Sequence, residues 1–251
     1  SIPARSYDME LQRVLLPVGY DARTKQHAAV WNGTFQTEKK WTDNPAWIFY
    51  DLITNKRYGL GKFARHVSID KWTLWEVSKY CDTMVPDGKG GLEPRFTCNV
   101  LINTREEAFK VLKDFASIFR SIIYYGFNNL NIAVDKPKKP LYLFTNSNAK
   151  DGNFKYTTNA LQSLPTVAVV RYNDKENFYA PALEYVEDID AIRKYGVTER
   201  EVSAFGCTSK SEAVRVGRWI LSTENTQTEM VQFSTGPEAL LLRPGDVIKV
   251  T

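Results

Sequence analysis

The chain has 251 residues, 43% hydrophobic and 25% charged, the ordinary balance of a globular protein long enough for one large domain or two small ones. Its net charge of +4 comes from 33 basic and 29 acidic residues interleaved along the chain, and the longest basic run, Lys136 to Lys139, is broken by Pro137. This pattern reads as a solvated surface and not as the clustered stripe of a nucleic-acid binder.

Residues 1 to 40 read as strands and turns. A bend is expected at Val18-Gly19-Tyr20-Asp21 and a hairpin at Trp31-Asn32-Gly33-Thr34. The first helix should open at Asn44-Pro45, where an amide side chain can cap and proline suits the first turn. It should stop near Tyr58-Gly59-Leu60-Gly61. A second helix from Asp70 places Leu74, Val77, Cys81 and Val85 on one apolar face, flanked by Trp72 and Trp75. A glycine-rich loop, residues 86–91, ends it. Arg95 to Ile102 alternates like a strand. Thr104 and Glu107 form a capping box for a third helix expected to run to Tyr124-Tyr125-Gly126.

From Leu130 the pattern turns to β. Val167 to Val170 is continuous enough to be buried on both faces, and Pro181 to Val186 is another strand candidate. Asp188 to Tyr195 is a short helix stopped by Gly196. Ser209 and Glu212 form a second capping box, opening a helix near 209–223 in which Gly217 permits close packing. Thr228 to Ser234, Ala239 to Leu242 and Val247 to Val250 read as strands, with a type II turn at Arg243-Pro244-Gly245-Asp246. The fold class is α+β, mixed helices and antiparallel sheets. Three segments suggest themselves: a β-rich 1–40, an α+β 41–160 and a β-rich 161–251.

No catalytic set stands out among these residues. Gly88-Lys89-Gly90-Gly91 lacks the Ser or Thr and the strand-to-helix setting of a phosphate loop. The acidic cluster Glu184, Glu187, Asp188 and Asp190 could serve a hydrolase or a calcium site, although Asp188 and Asp190 also suit a helix N-terminus. His27 and His66 lack local partner sets. Cys81, Cys98 and Cys207 share no metal or disulfide spacing and read as buried thiols, Cys207 standing just before a helix. Trp41, Trp47, Trp72, Trp75 and Tyr124-Tyr125 could stack sugars or bases, but their helical positions favour core and interface packing. No metal or cofactor is expected. No apolar run approaches the roughly 20 residues of a membrane span. The start, Ser1-Ile2-Pro3-Ala4-Arg5, has neither Met nor a signal-peptide core, as expected of a piece of a longer chain.

Four ordered groups of strings carry a resemblance. The first is Trp41-Thr42-Asp43-Asn44-Pro45-Ala46-Trp47 with Tyr50-Asp51-Leu52 and Arg57-Tyr58-Gly59-Leu60-Gly61. The second is Tyr80-Cys81-Asp82, Val85-Pro86-Asp87-Gly88 and Glu93-Pro94-Arg95-Phe96-Thr97-Cys98-Asn99. The third is Glu184-Tyr185-Val186-Glu187-Asp188 with Tyr195-Gly196-Val197. The fourth is Ala204-Phe205-Gly206-Cys207-Thr208-Ser209, Arg215-Val216-Gly217-Arg218-Trp219 and Arg243-Pro244-Gly245-Asp246-Val247-Ile248. Together they resemble a central hub segment of the tip attachment (host specificity) protein J family of lambda-like phages and prophages.

The resemblance implies a structural, non-enzymatic part of a virion tail tip, made in the host cytoplasm. It implies a hub like those of phage baseplates, a homotrimer at full length, that closes the tail tube and takes part in host attachment and DNA ejection. The implied partners are other tail-tip and tail-tube proteins, with a host receptor reached only through regions outside these residues. A carbohydrate- or receptor-binding module is the alternative, and a hydrolase built on Glu184 to Asp190 a further one. A threefold assembly needs ring-closing contacts. Trp72 and Trp75 on the second helix, and Tyr124 and Tyr125, are the candidates for them.

Overall fold

In this computed structural model the described residues are 7, 9–62, 68–102, 106–126, 129–158 and 164–251. The chain opens with β1 (Arg13–Pro17), β2 (Tyr20–Asp21), β3 (Gln26–His27) and β4 (Phe35–Trp41). Next come α1 (Pro45–Thr54), β5 (Ser68–Ile69), α2 (Lys71–Cys81), β6 (Met84–Pro86), β7 (Leu92–Pro94) and α3 (Ala108–Ile118). Strands β8 (Ser121–Gly126), β9 (Asn129–Val134), β10 (Tyr142–Phe144), β11 (Lys155–Thr158), β12 (Val167–Asp174) and β13 (Ala180–Glu187) follow. The chain closes with α4 (Ile189–Tyr195), β14 (Glu199–Ser203), α5 (Lys210–Thr226), β15 (Glu229–Gln232) and β16 (Ile248–Val250). Helices packed on small, mostly antiparallel sheets make this the α+β class expected from the pattern.

Four helix starts lie where the sequence puts them. Asn44 accepts from the Ala46 amide, Asp70 from Trp72, Asp188 from Ala191 and Ser209 from Glu212. Each supplies an oxygen to a donor the first turn leaves without an intrahelical partner. For the capping box at 104–107, Thr104 lies outside the described residues. Glu107 precedes α3 but makes no side-chain cap.

The first core runs from Val14 to Leu130 and is built on aromatics. Trp31, Trp47 and Trp75 meet with ring centroids 5.2 to 6.3 Å apart, and Phe49 packs edge-on to Phe119. Here the structure redraws four expectations. Asn32-Gly33 makes no hairpin, because β4 pairs with β1 and β3 with β2. The Asn32 side chain instead accepts from the Thr34 amide, and the buried Trp31 indole donates to the Thr34 carbonyl at 2.7 Å, closing a local bend. Helix α2 stops at Cys81, so Val85 reaches the interior from β6.

Helix α3 ends at Ile118, and Tyr124 and Tyr125 lie on β8. Arg120 takes a left-handed φ of 51° that turns the chain. The run Ile122 to Tyr125, with β-branched and aromatic side chains, then pairs with β9. Residues 95–102 are extended but form no strand. Phe96 and Cys98 are buried as their alternation suggests. Their amides bond to the Cys81 and Asp43 carbonyls, and the Asn99 amide to the Gly206 carbonyl, so three separate parts of the chain satisfy a segment with no single partner.

The second core is a three-stranded sheet, ordered β13-β12-β14, with α5 across one face. Central β12 is buried from Val167 to Val170, as the apolar run predicts. A Cβ on Gly217 would lie 2.6 Å from a Val186 methyl, so only glycine lets α5 approach this closely. Beyond it, β10 pairs with β16 and β11 with β15 around Phe144, Phe154 and Phe233. Residues 237–241 form a 3-10 helix, not the expected strand, with Leu240 and Leu241 exposed. The following turn is as expected, with Gly245 at φ 86° and the Asp246 amide bonded to the Arg243 carbonyl.

Candidate subunit-interface surfaces

The four candidate aromatics do not share one environment. Trp75 is buried, stacked on Trp31. Trp72 is half exposed and tilted against Trp31 at 5.2 Å, so the three indoles run from core to surface. Lys71 fixes this edge. Its ammonium donates to the Gly33 carbonyl at 2.8 Å and lies 5.5 Å from the Trp72 ring. Trp72 and Tyr124 line one groove of about 480 Å³ between α2, β9 and the 243–246 turn, with Tyr80, Ile132, Val134 and Pro244. Strand alternation directs Tyr125, which is exposed, the other way. Fold geometry therefore brings Trp72 and Tyr124 together and keeps Trp75 inside.

Beneath this surface lies a polar network that sequence reasoning missed. Asp82, at the C-terminus of α2, accepts from the Tyr20 hydroxyl at 2.7 Å and from the Asn44 amide at 2.8 Å. The same Asn44 amide donates to the Ser78 carbonyl, and the Ser78 hydroxyl contacts the His27 ring at 2.8 Å. Lys25 pairs with Asp43 and stands 3.7 Å from Asp82. Burial drives the Asp82 carboxyl and the Tyr20 phenol up, and the His27 imidazole down to about 4. Both ends of each contact come from distant segments, and the only local signal was a carboxylate closing the apolar face of a helix.

A second polar joint binds the two cores. Arg215 of α5 pairs with Glu93 and donates to the Arg95 carbonyl at 3.0 Å. Ser209 and Ser211 also donate to Glu93. Arg120 donates to the Arg215 carbonyl at 3.1 Å between the Phe96 and Trp219 rings. Glu212, expected to complete a capping box, points away from the cap. Its carboxylate accepts from the Thr97 amide at 3.2 Å and hydroxyl at 2.9 Å. It is 3% exposed, and burial pushes it up to about 7 against those hydrogen bonds.

The acidic cluster is spread over several tasks. Glu184 pairs with Lys210, Asp188 caps α4 and Asp190 faces Arg193. Cys81, Cys98 and Cys207 are buried free thiols, each held up by burial and so poor thiolates. Lys89 of the glycine-rich loop pairs with Glu176. His66 lies outside the described residues. Among the described residues no group of His, Cys, Asp and Glu is placed to hold a metal ion, and no helix is long and apolar enough to cross a membrane.

The family described as putative phage tail protein matches residues 107–251, more than half of the chain. Two curated relatives carry the name Tip attachment protein J. That of Escherichia phage SECphi27 is 42% identical over 249 residues, covering 99% of this chain and 21% of the relative. That of Escherichia phage SECphi4 is 33% identical over 251 residues, covering 100% of this chain and 22% of the relative. The chain thus spans about a fifth of the length of these relatives. A solved structure, the 43 kDa tail protein of prophage MuSo2 from Shewanella oneidensis, aligns with a TM-score of 0.45 at 15% identity. It covers 83% of this chain and 54% of that one, a likeness too distant to carry an argument.

Proposed function

This chain belongs to the phage tail protein family, and we propose that it is a structural segment of the tail tip, part of a hub that closes the tail tube. In the full-length protein this hub is a homotrimer that contacts other tail-tip and tail-tube proteins and takes part in attachment and DNA ejection. Receptor contact falls to regions outside these residues, and the segment has no catalytic role. The carrying observation is sequence similarity over essentially the whole chain to two tip attachment proteins. The architecture supports the reading. Three of the four carboxylates that could have served a hydrolase, Glu184, Asp188 and Asp190, are engaged in capping and ion pairs, and the buried polar groups tie segments together.

Antibodies against residues 41–160 test it. In electron micrographs of virions they should decorate the distal end of the tail. Label confined to the capsid or the tail shaft, or hydrolysis of a cell-wall glycan by the purified protein, would overturn it.

A further inference from the structure

Helix α5 lies across one face of the sheet of the second core, and the opposite face has an unusual composition. Register places three cross-strand rows on it: Glu187, Val167 and Glu199; Tyr185, Val169 and Glu201; Leu183, Arg171 and Ser203. Paired residues point to the same side of a sheet. Val167 and Val169 are buried in the middle, whereas Tyr185 is 58% and Leu183 49% exposed. Glu187, Glu199 and Glu201 are exposed and, among the described residues, form no ion pair. Exposed Tyr185 and Leu183 beside a charged rim have the composition of a protein interface.

This face is net negative, three carboxylates against the single cation Arg171, so docking it on its own copy by a twofold axis would bring together two surfaces of like net charge. A surplus of positive charge in the occupant would match the face, and the chain, at +4 overall, carries most of its positive charge elsewhere. The flank of α5 and the loop after β6 form a groove of about 260 Å³ that includes Lys89, Lys210, Val214 and Arg218. Lys89 faces Glu176 in a fully exposed pair, which binds weakly and exchanges readily, and Lys210 reaches the half-buried Glu184 from an exposed position. Arg218 is exposed and forms no ion pair among the described residues. Acidic face and basic groove lie on different sides of the sheet, so one chain cannot bring its own two surfaces together.

We propose that the acidic sheet face of β12, β13 and β14 docks on the α5 groove of a second copy of this chain, head to tail. Such a contact is heterologous and therefore closes a ring or extends, without ending at a dimer. The inference rests on the reading of the chain as one subunit of a tail-tip assembly and names the surfaces that meet.

The test uses the full-length protein. Light and ¹⁵N-labelled copies are mixed, treated with a carbodiimide that joins amines to carboxylates, and mapped by mass spectrometry. Hybrid light–heavy links between Lys210 or Lys89 and Glu187, Glu199 or Glu201 are expected. Lys210→Glu with Arg218→Glu should weaken self-association about tenfold, as should Glu199→Lys with Glu201→Lys. An equimolar mixture of the two variants should recover part of it, because the reversed charges again match. All four positions are exposed, so unchanged thermal unfolding serves as the folding control. Hybrid links elsewhere with none at these carboxylates would overturn the proposed contact while leaving the tail-tip reading standing. A monomer at all concentrations would overturn the contact too.

Discussion

The two hydrophobic cores of this chain solve the same problem with opposite materials. The first packs Trp31, Trp47, Trp75, Phe49 and Phe119 around short strands and loops. The second packs Ala168, Val170 and Val186 against a glycine-bearing helix that contributes Ala213. Large rings fill irregular space and bridge loops, so the first core can enclose the Asp82 network and an extended segment that belongs to no sheet. Small β-branched and alanine side chains have no such reach. The second core therefore depends on regular strands and on a helix pressed close to them. Bulk can substitute for regularity, and regularity for bulk.

The largest effect should come from Trp47→Ala, which empties a fully buried site and should cost about 4 kcal/mol in urea denaturation. Amide exchange would show whether the cores are separate: protection should fall in α1 and α2 and persist in β12 and α5. Equal loss in both would make them one cooperative unit and end the comparison.

The joint between the cores should titrate. The folded-state pKa of Glu212 is raised from 4.5 to about 7, so its stabilising contribution is complete below about pH 4.5 and is lost as pH rises through 7. That loss is on the order of 3 kcal/mol. Burial lowers His27 from 6.5 to about 4, so its contribution is complete above pH 6.5 and is lost as pH falls through 4. The two slopes oppose each other. Glu212→Gln should retain the Thr97 contacts and unmask a stability that rises from pH 4 to 6.5. A profile unchanged from wild type would remove Glu212 from the joint.

A smaller change tests the close approach of α5. Gly217→Ala adds about 1 kcal/mol of helix propensity but drives a methyl into Val186, for a net loss of about 1–2 kcal/mol. Combining it with Val186→Ala should be less damaging than the sum of the two, and strict additivity would argue against direct contact. Smallest of all, Lys71→Met should cost about 0.5 kcal/mol and shift Trp72 fluorescence with little change in unfolding midpoint, since the contact lies at the rim of the first core.

The sequence by itself determined whatever is decided within a few residues. Asn44, Asp70, Asp188 and Ser209 announce their helices because a cap bonds two or three positions ahead. The run Val167 to Val170 marks the central strand because burial on both faces demands uninterrupted apolar side chains. The tail-protein resemblance was legible for a different reason, since long ordered strings survive in sequence whatever their packing.

Tertiary structure alone decided the rest. Residues 95–102 alternate like a strand, yet the Phe96, Cys98 and Asn99 amides bond to the Cys81, Asp43 and Gly206 carbonyls, three distant points of the chain. Glu212 has the spacing of a capping box, but Thr97, 115 residues away, takes its carboxylate. Trp72 and Trp75 look equivalent on the helix, and only the position of Trp31 sends one to the surface and the other inside. In each case the choice was between local and long-range partners of similar chemistry. Which partner is present depends on how the whole chain packs, and no window of neighbouring residues contains that information.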